Sequence, residues 1–150
     1  MESQGKAVER ILVDKAAEES ITAGHVWIFS NQVRERPKGL PDGAVVEVES
    51  EKGRFLGTGY HNGKSLIALR ILSREKATID EAFFSRRIEE ALDLRRALPC
   101  EGSFRVVNSE SDFLPGLNVD KYKAGLFADV DVMPFNNFKK LDEVLVVKKP

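Results

Sequence analysis

The chain has 150 residues, of which 42% are apolar and 31% charged, with a formal net charge of −1. These values are typical of one globular domain or two small ones and exclude collagen-like and coiled-coil classes. Because the charges balance, any contact with a nucleic acid must use a local basic patch. The single cysteine, Cys100, excludes an internal disulfide and favours a reducing, cytoplasmic compartment. No segment is apolar enough to predict export or a membrane span.

Residues 1–76 are broken by frequent glycines and predict a compact, closed β-sheet with one small helix. The segment 15–22 predicts that helix, which ends at Gly24 because glycine permits a positive φ. The segment 61–64 predicts a tight hairpin turn, because an Asn-Gly pair tolerates positive φ values. Short apolar or alternating segments predict strands at 7–13, 25–33, 44–49, 54–60 and 66–72.

The glycine-broken pattern gives way to a long helical pattern near residues 73–78, where we place a domain boundary. Thr78 fits the N-cap of a capping box, and apolar residues at spacings of three and four predict a helix over 79–98. A Pro-Gly pair predicts a type II turn at 114–117. The region 77–150 is therefore predicted to be α+β, which makes the whole chain mixed α/β (α+β). Its further predicted elements are strands at 103–107, 117–122, 125–132 and 144–147 and a short helix at 137–141.

Motifs for common catalytic chemistry are absent from this sequence. It has no GxxxxGK[ST], GxGxxG, HExxH or GxSxG motif. With two histidines and one cysteine, neither a metal site nor a catalytic residue is predicted. Glu110 and Asp112 could do acid–base chemistry if burial separated their pKa values, but acidic residues are also ordinary in turns. A hydrolase that used this pair would lack a nucleophile and a metal.

Polar and basic residues in the loops of the first region are the candidates for contact with RNA. Trp27 and Phe29 fall on one face of a predicted strand, where they could stack on bases or fill the core; we favour the core. Arg70 interrupts an apolar strand and either lines a groove or, by default, points to water. The candidate RNA contacts are His25, Arg34, Arg36, Lys38, Tyr60, Asn62, Lys64, Ser65 and Arg70.

Several motifs in residues 7–122 resemble one known family. This family is the large-subunit ribosomal RNA cytosine-5 methyltransferases, which are class I enzymes dependent on S-adenosylmethionine. Four segments of this chain resemble the N-terminal PUA domain of that family: GHVWIFSN (24–31), PDG (41–43), FLGTGY (55–60) and LRIL (69–72). The segment RVVNSESDFLPGLNVDKY (105–122) is similar to the central linking domain of that family. The resemblance implies a PUA-type barrel over 1–76 that helps to hold structured RNA, and a partial α+β linking domain over 77–150 with a divergent tail, 123–150.

The same resemblance implies that the domain that binds S-adenosylmethionine is missing, so we expect no cofactor in this chain. The leading hypothesis is a truncated, cytoplasmic RNA-binding module whose partner is structured, ribosomal RNA and which lacks methyl-transfer activity alone. The alternative hypothesis is a protein-interaction remnant, in which the apolar face of the helix at 79–98 pairs with a second copy or a separate methyltransferase domain.

Overall fold

A computed structural model describes residues 8–98, 102–123 and 125–130. The chain divides into two compact units, Met1–Ala77 (unit 1) and Thr78–Pro150 (unit 2). None of the described helices has the length and apolar content needed to cross a membrane. Cys100, the predicted helix at 137–141 and the predicted strand at 144–147 lie outside the described residues.

Unit 1 is built on one curled sheet in which the strand order is β2-β6-β5-β4-β1-β3. The strand β1 runs parallel to β4, and the other neighbours are antiparallel. The core lies on the concave side, where strand residues such as Ile11, Ile28 and Val46 pack against Ala17 and Ile21 of the helix. The described elements are β1 Glu9–Val13, α1 Lys15–Thr22, β2 Trp27–Phe29, β3 Val33–Glu35, β4 Val45–Ser50, β5 Phe55–His61 and β6 Ile67–Ser73.

The bounds of α1 confirm the predicted helix. Asp14 caps its N-terminus by accepting a hydrogen bond from the Ala17 N–H at 2.9 Å, and Gly24 follows its C-terminal end with a φ of 113°. The single strand predicted at 25–33 is wrong, because a 3₁₀ turn, Ser30–Gln32, divides it into β2 and β3. The Phe29 N–H donates to the side-chain oxygen of Gln32 at 2.9 Å, so a local side-chain bond replaces the strand pairing.

The connection from β5 to β6 is longer than the predicted tight turn. Neither Asn62 nor Gly63 has a positive φ. Instead, the Asn62 side chain accepts from the Lys64 N–H at 3.1 Å, and the Ser65 hydroxyl accepts from the Ile67 N–H at 3.1 Å. Side-chain oxygens therefore satisfy the backbone of this loop and hold it in one conformation.

Unit 2 combines one long helix with a three-stranded antiparallel sheet of order β7-β8-β9. The helix begins at Glu81 because Asp80 is its N-cap and accepts from the Phe83 N–H at 2.9 Å, so the capping box predicted at Thr78 is wrong. The type II turn is confirmed by the positive φ of Gly116 and by the bond from the Leu117 N–H to the Leu114 carbonyl. The described elements are α2 Glu81–Arg96, β7 Phe104–Asn108, β8 Leu117–Tyr122 and β9 Gly125–Val130.

A cross-strand ion pair connects β7 and β8. Arg105 lies opposite Asp120 and donates two hydrogen bonds to its carboxylate, at 2.8 and 3.0 Å. The hydrogen bond and the charge of Arg105 lower the pKa of Asp120, and Asp120 in turn raises the pKa of Arg105.

The Asp120 carboxyl group is expected to give unit 2 a small acid-sensitive stability. Its pKa is lower when folded than when unfolded, so the contribution is present above the ordinary carboxyl pKa of about 4 and is lost as the pH falls through the folded value. Because the pair is exposed to solvent, screening by water keeps this contribution small. A carbon-detected NMR titration of the Asp120 carboxyl should show a midpoint below the ordinary carboxyl value of about 4; an equal or higher midpoint would contradict the assignment.

Candidate nucleic-acid interface

A cleft of about 320 Å³ opens in unit 1 between the loop that joins β3 to β4 and the end of β5 with the loop that follows it. We call it the basic cleft, and its lining residues are Arg36, Pro37, Lys38, Gly39, Leu40, Asp42, His61 and Gly63. It contains two of the predicted RNA contacts, Arg36 and Lys38. The next residue after its Gly63 wall is Lys64, a third predicted contact.

The geometry of the cleft is fixed by buried and loop residues together. His61 is 3% exposed, and its Nε2 lies 3.2 Å from the Nη1 of Arg36. Since a guanidinium only donates, Nε2 must accept, which places the ring proton on Nδ1. That Nδ1 has no hydrogen-bond partner among the described residues. In the loop that joins β3 to β4, the Asp42 carboxylate accepts from the Gly63 N–H at 2.7 Å. This bond connects that loop to the loop after β5.

The cations around the cleft differ in how far they are neutralised. Arg34 lies 2.8 Å from Asp14, and Lys64 lies 3.6 Å from Asp42. Within the described part of the chain, neither Arg36 nor Lys38 forms an ion pair with a carboxylate. The field of these two side chains is therefore uncompensated by a partner, and an anion that enters the cleft would meet it.

Three predicted contacts are buried. Tyr60 is fully buried, and Asn62 and Arg70 are 5% exposed. The expectation that Arg70 points to water is wrong, because it lies in the centre of β6 with its guanidinium 5.8 Å from the centre of the Tyr60 ring. Ser65 is half-buried and holds the loop backbone. These four side chains support the surface, while His25, Arg34, Arg36, Lys38 and Lys64 are exposed on it.

The aromatic residues of β2 lie on the surface. Trp27 is 42% and Phe29 45% exposed, while Ile28 between them is fully buried. The prediction that Trp27 and Phe29 fill the core is therefore wrong. The two side chains do share one face of the strand, as predicted, but that face is the outer one, and Ile28 alone points inward from this edge strand. Sequence reasoning also missed His61 and Asp42 as cleft residues, because the pairing that joins their loops has no periodic signal in the sequence.

The acidic pair Glu110 and Asp112 does not have the geometry of an acid–base site. Asp112 accepts from both terminal nitrogens of Arg95, at 2.6 and 2.7 Å, and from the Asn108 N–H at 2.6 Å. Asp112 is 7% exposed, so its carboxylate oxygens are already used to hold the turn between β7 and β8. No group of three His, Cys, Asp or Glu residues able to hold a metal ion is found in the described ranges.

The fold and the sequence of unit 1 define a PUA-like domain. Residues 11–74 match the family model described as a PUA-like domain, and the strands and α1 described above have the mixed α+β, half-barrel arrangement of that fold. The match runs from the middle of β1 to the end of β6 and includes the basic cleft.

Most of the chain is similar to the N-terminal part of ribosomal RNA large subunit methyltransferases. It is 36% identical over 117 residues to ribosomal RNA large subunit methyltransferase I of Pseudoalteromonas translucida, covering 75% of this chain and 29% of the relative. It is 33% identical to a ribosomal RNA large subunit methyltransferase of Deinococcus radiodurans, covering 94% of this chain and 37% of the relative. The chain thus spans about a third of the length of these curated relatives.

A solved structure shows the same fold. A Streptococcus mutans protein assigned as a SAM-dependent methyltransferase superposes with a TM-score of 0.74 at 18% sequence identity, covering 92% of this chain and 36% of that chain. The match covers 36% of that chain, so this fold recurs as part of a larger protein.

Proposed function

We propose that this chain binds structured ribosomal RNA through unit 1 and that Arg36 and Lys38 of the basic cleft contact its phosphates. The observation that carries the proposal is a pair of cations on the walls of one cleft in a PUA-like domain, neither of which has a carboxylate partner among the described residues. Phosphate contacts fix the position of a protein on RNA and supply affinity with little sequence readout. Folded RNA is recognised largely by such contacts and by its shape.

The geometry of Arg36 supports this role. A phosphate oxygen can accept from the terminal nitrogens of a guanidinium in a bidentate manner, and the bond to buried His61 holds the Arg36 side chain at the cleft wall before any ligand arrives. Holding the side chain in place lowers the entropy lost on binding. Lys38, two residues further along the same loop, adds a second positive charge without a fixed geometry.

Methyl transfer is outside this proposal. Chemistry that depends on S-adenosylmethionine requires a binding site for that cofactor. A glycine-rich turn from a strand into a helix commonly holds nucleotide-like ligands, and the described strand-to-helix connections have no such turn. Asp14 alone separates β1 from α1, and residues 74–80 before α2 contain no glycine. These two described connections do not fit the group, and we derive no step through it. RNA binding by the chain itself needs no cofactor.

The double substitution Arg36→Gln with Lys38→Gln is expected to weaken RNA binding about tenfold or more and to reduce the log–log salt slope by about 1.5, because each phosphate contact contributes about 0.7–0.9 to that slope. Fluorescence anisotropy of a labelled large-subunit ribosomal RNA fragment, measured at several salt concentrations with duplex DNA as competitor, gives both quantities.

The matched control removes the same charge elsewhere in unit 1. Lys15→Gln with Lys52→Gln takes two exposed lysines that do not line the cleft and should change the affinity less than about threefold. Arg34→Gln is a second control, because Asp14 already neutralises Arg34. Equal losses in the cleft and control variants would show a diffuse field and contradict the assignment to the cleft. The absence of salt-sensitive binding by the folded chain would contradict the function itself.

A further inference from the structure

The edge strand β2 exposes two aromatic rings that the phosphate contacts do not use. Trp27 and Phe29 are 42% and 45% exposed, and the buried Ile28 between them shows that both rings point away from the core. We call this pair the aromatic strip. Residues two apart on a strand are separated by about 6.5–7 Å, twice the thickness of a stacked base. Adjacent exposed apolar side chains that are bordered by polar residues are a feature of binding surfaces.

One end of the aromatic strip is cationic. Arg74 follows β6, and its Nη2 lies 3.4 Å from the position that a Cβ on Gly24 would occupy, so the guanidinium lies against the backbone just before β2. Arg74 forms no ion pair with a carboxylate in the described part of the chain. His25, exposed, lies between Gly24 and the strip. Flat apolar faces next to an uncompensated cation match the chemistry of a nucleotide, which presents a base beside a phosphate.

We propose that the aromatic strip stacks an unpaired RNA base and that Arg74 contacts the adjacent phosphate. The inference deepens the RNA binding proposed above and rests on it. It specifies the class of RNA: bases inside a duplex are not free to stack on a protein ring, so the chain should prefer RNA with unpaired nucleotides over a continuous duplex. A protein partner is disfavoured because the apolar surface is narrow and borders a cation, whereas a stable interface buries about 800 Å² on each partner and depletes charge at its centre.

The chain supplies its own probe, because Trp27 is the only tryptophan among its 150 residues. Titration with a short single-stranded RNA oligonucleotide should quench the intrinsic fluorescence with the same dissociation constant that anisotropy reports. A blunt-ended RNA duplex of the same sequence should produce little quenching. Trp27→Ala and Phe29→Ala should each weaken binding of the single strand at least fivefold, since the loss of a base–aromatic stack costs at least about that factor.

Two further variants separate stacking from misfolding. Trp27→Phe keeps an aromatic face and should bind within about threefold of the unchanged chain, and Leu94→Ala removes an exposed apolar side chain of α2 as a control.

RNA binding without quenching, or binding unchanged in Trp27→Ala, would overturn the stacking proposal and leave the proposed function intact. Quenching that depends on protein concentration without RNA would also overturn it, by showing that the strip binds another copy. Absence of anisotropy change would instead overturn RNA binding, and the inference with it.

Discussion

Substitution of Asp112 by Asn is expected to destabilise unit 2 by about 3–5 kcal/mol, because it leaves Arg95 as a poorly compensated cation. The Arg95 side chain is 17% exposed, and that of Asp112 is 3% exposed. Arg95 also donates to the carbonyls of Ala91 and Arg105, so the guanidinium joins α2 to β7 as well as to the turn. The amide of Asn keeps one acceptor but loses the charge and the second acceptor.

Two spectroscopic signals separate the units in this experiment. Far-ultraviolet circular dichroism follows α2, the longest described helix, while fluorescence follows Trp27 in unit 1. We expect Asp112→Asn to shift the circular dichroism transition strongly in denaturant and the fluorescence transition less. Asp93→Asn, which breaks only the exposed pair with Arg96, should cost less than about 1 kcal/mol. A loss of similar size in both variants would contradict the assignment of the Arg95–Asp112 pair as the central contact of unit 2.

Substitution of Gly59 by Ala is expected to destabilise unit 1 by about 3 kcal/mol or more. A Cβ at this position would lie 2.3 Å from the backbone oxygen of Arg70 and 3.1 Å from the Cα of Ile71. Both atoms belong to the adjacent strand β6, so no side chain can rotate to make room and the β5–β6 pairing itself must shift. Over-packing against backbone is more damaging than over-packing against a flexible side chain.

The control for Gly59→Ala is a glycine with free space around it. Gly39 has a φ of 73°, and no atom lies within 4 Å of the position that a Cβ would occupy. Gly39→Ala therefore lowers the free energy of unfolding only by the cost of a positive φ, about 1–2 kcal/mol. Denaturant unfolding followed by Trp27 fluorescence should therefore rank Gly59→Ala well below Gly39→Ala in stability. If the two variants proved equally stable, the close approach of β5 and β6 would not be a constraint on this fold.

Local signals in the sequence were sufficient for most elements of the fold. The short helix α1 was predicted with its observed bounds, because the glycine that ends it, Gly24, acts on neighbouring residues. The prediction failed where a side chain competes with the backbone: Gln32 divides the strand predicted at 25–33, and Asp80 takes the cap assigned to Thr78. The outcome depends on which of two nearby polar groups has the better geometry for a hydrogen bond to the free N–H. Residue type alone does not determine that geometry.

The candidate site was predictable in its residue types and less so in its geometry. The exposed positions of Arg36 and Lys38 follow from their place in a loop, but the burial of Arg70 does not follow from its charge. Its position opposite both Trp27 and Tyr60 depends on the order of strands in the sheet, which brings together residues far apart in sequence. The exposure of Trp27 is the same kind of property, because it depends on β2 being an edge strand.

The parallel pairing of β1 with β4 has a consequence for how the domain is made. Glu9 is aligned with Val46 and Val13 with Ser50, so β1 finds its parallel neighbour only after the whole of β4 has left the ribosome. The meander of β4, β5 and β6 closes over short loops and should form first, while β1 docks late across a long loop. A pause in translation before residue 50 would leave β1 with only its short antiparallel pairing to β3, and slow codons in that interval would favour aggregation of the nascent chain.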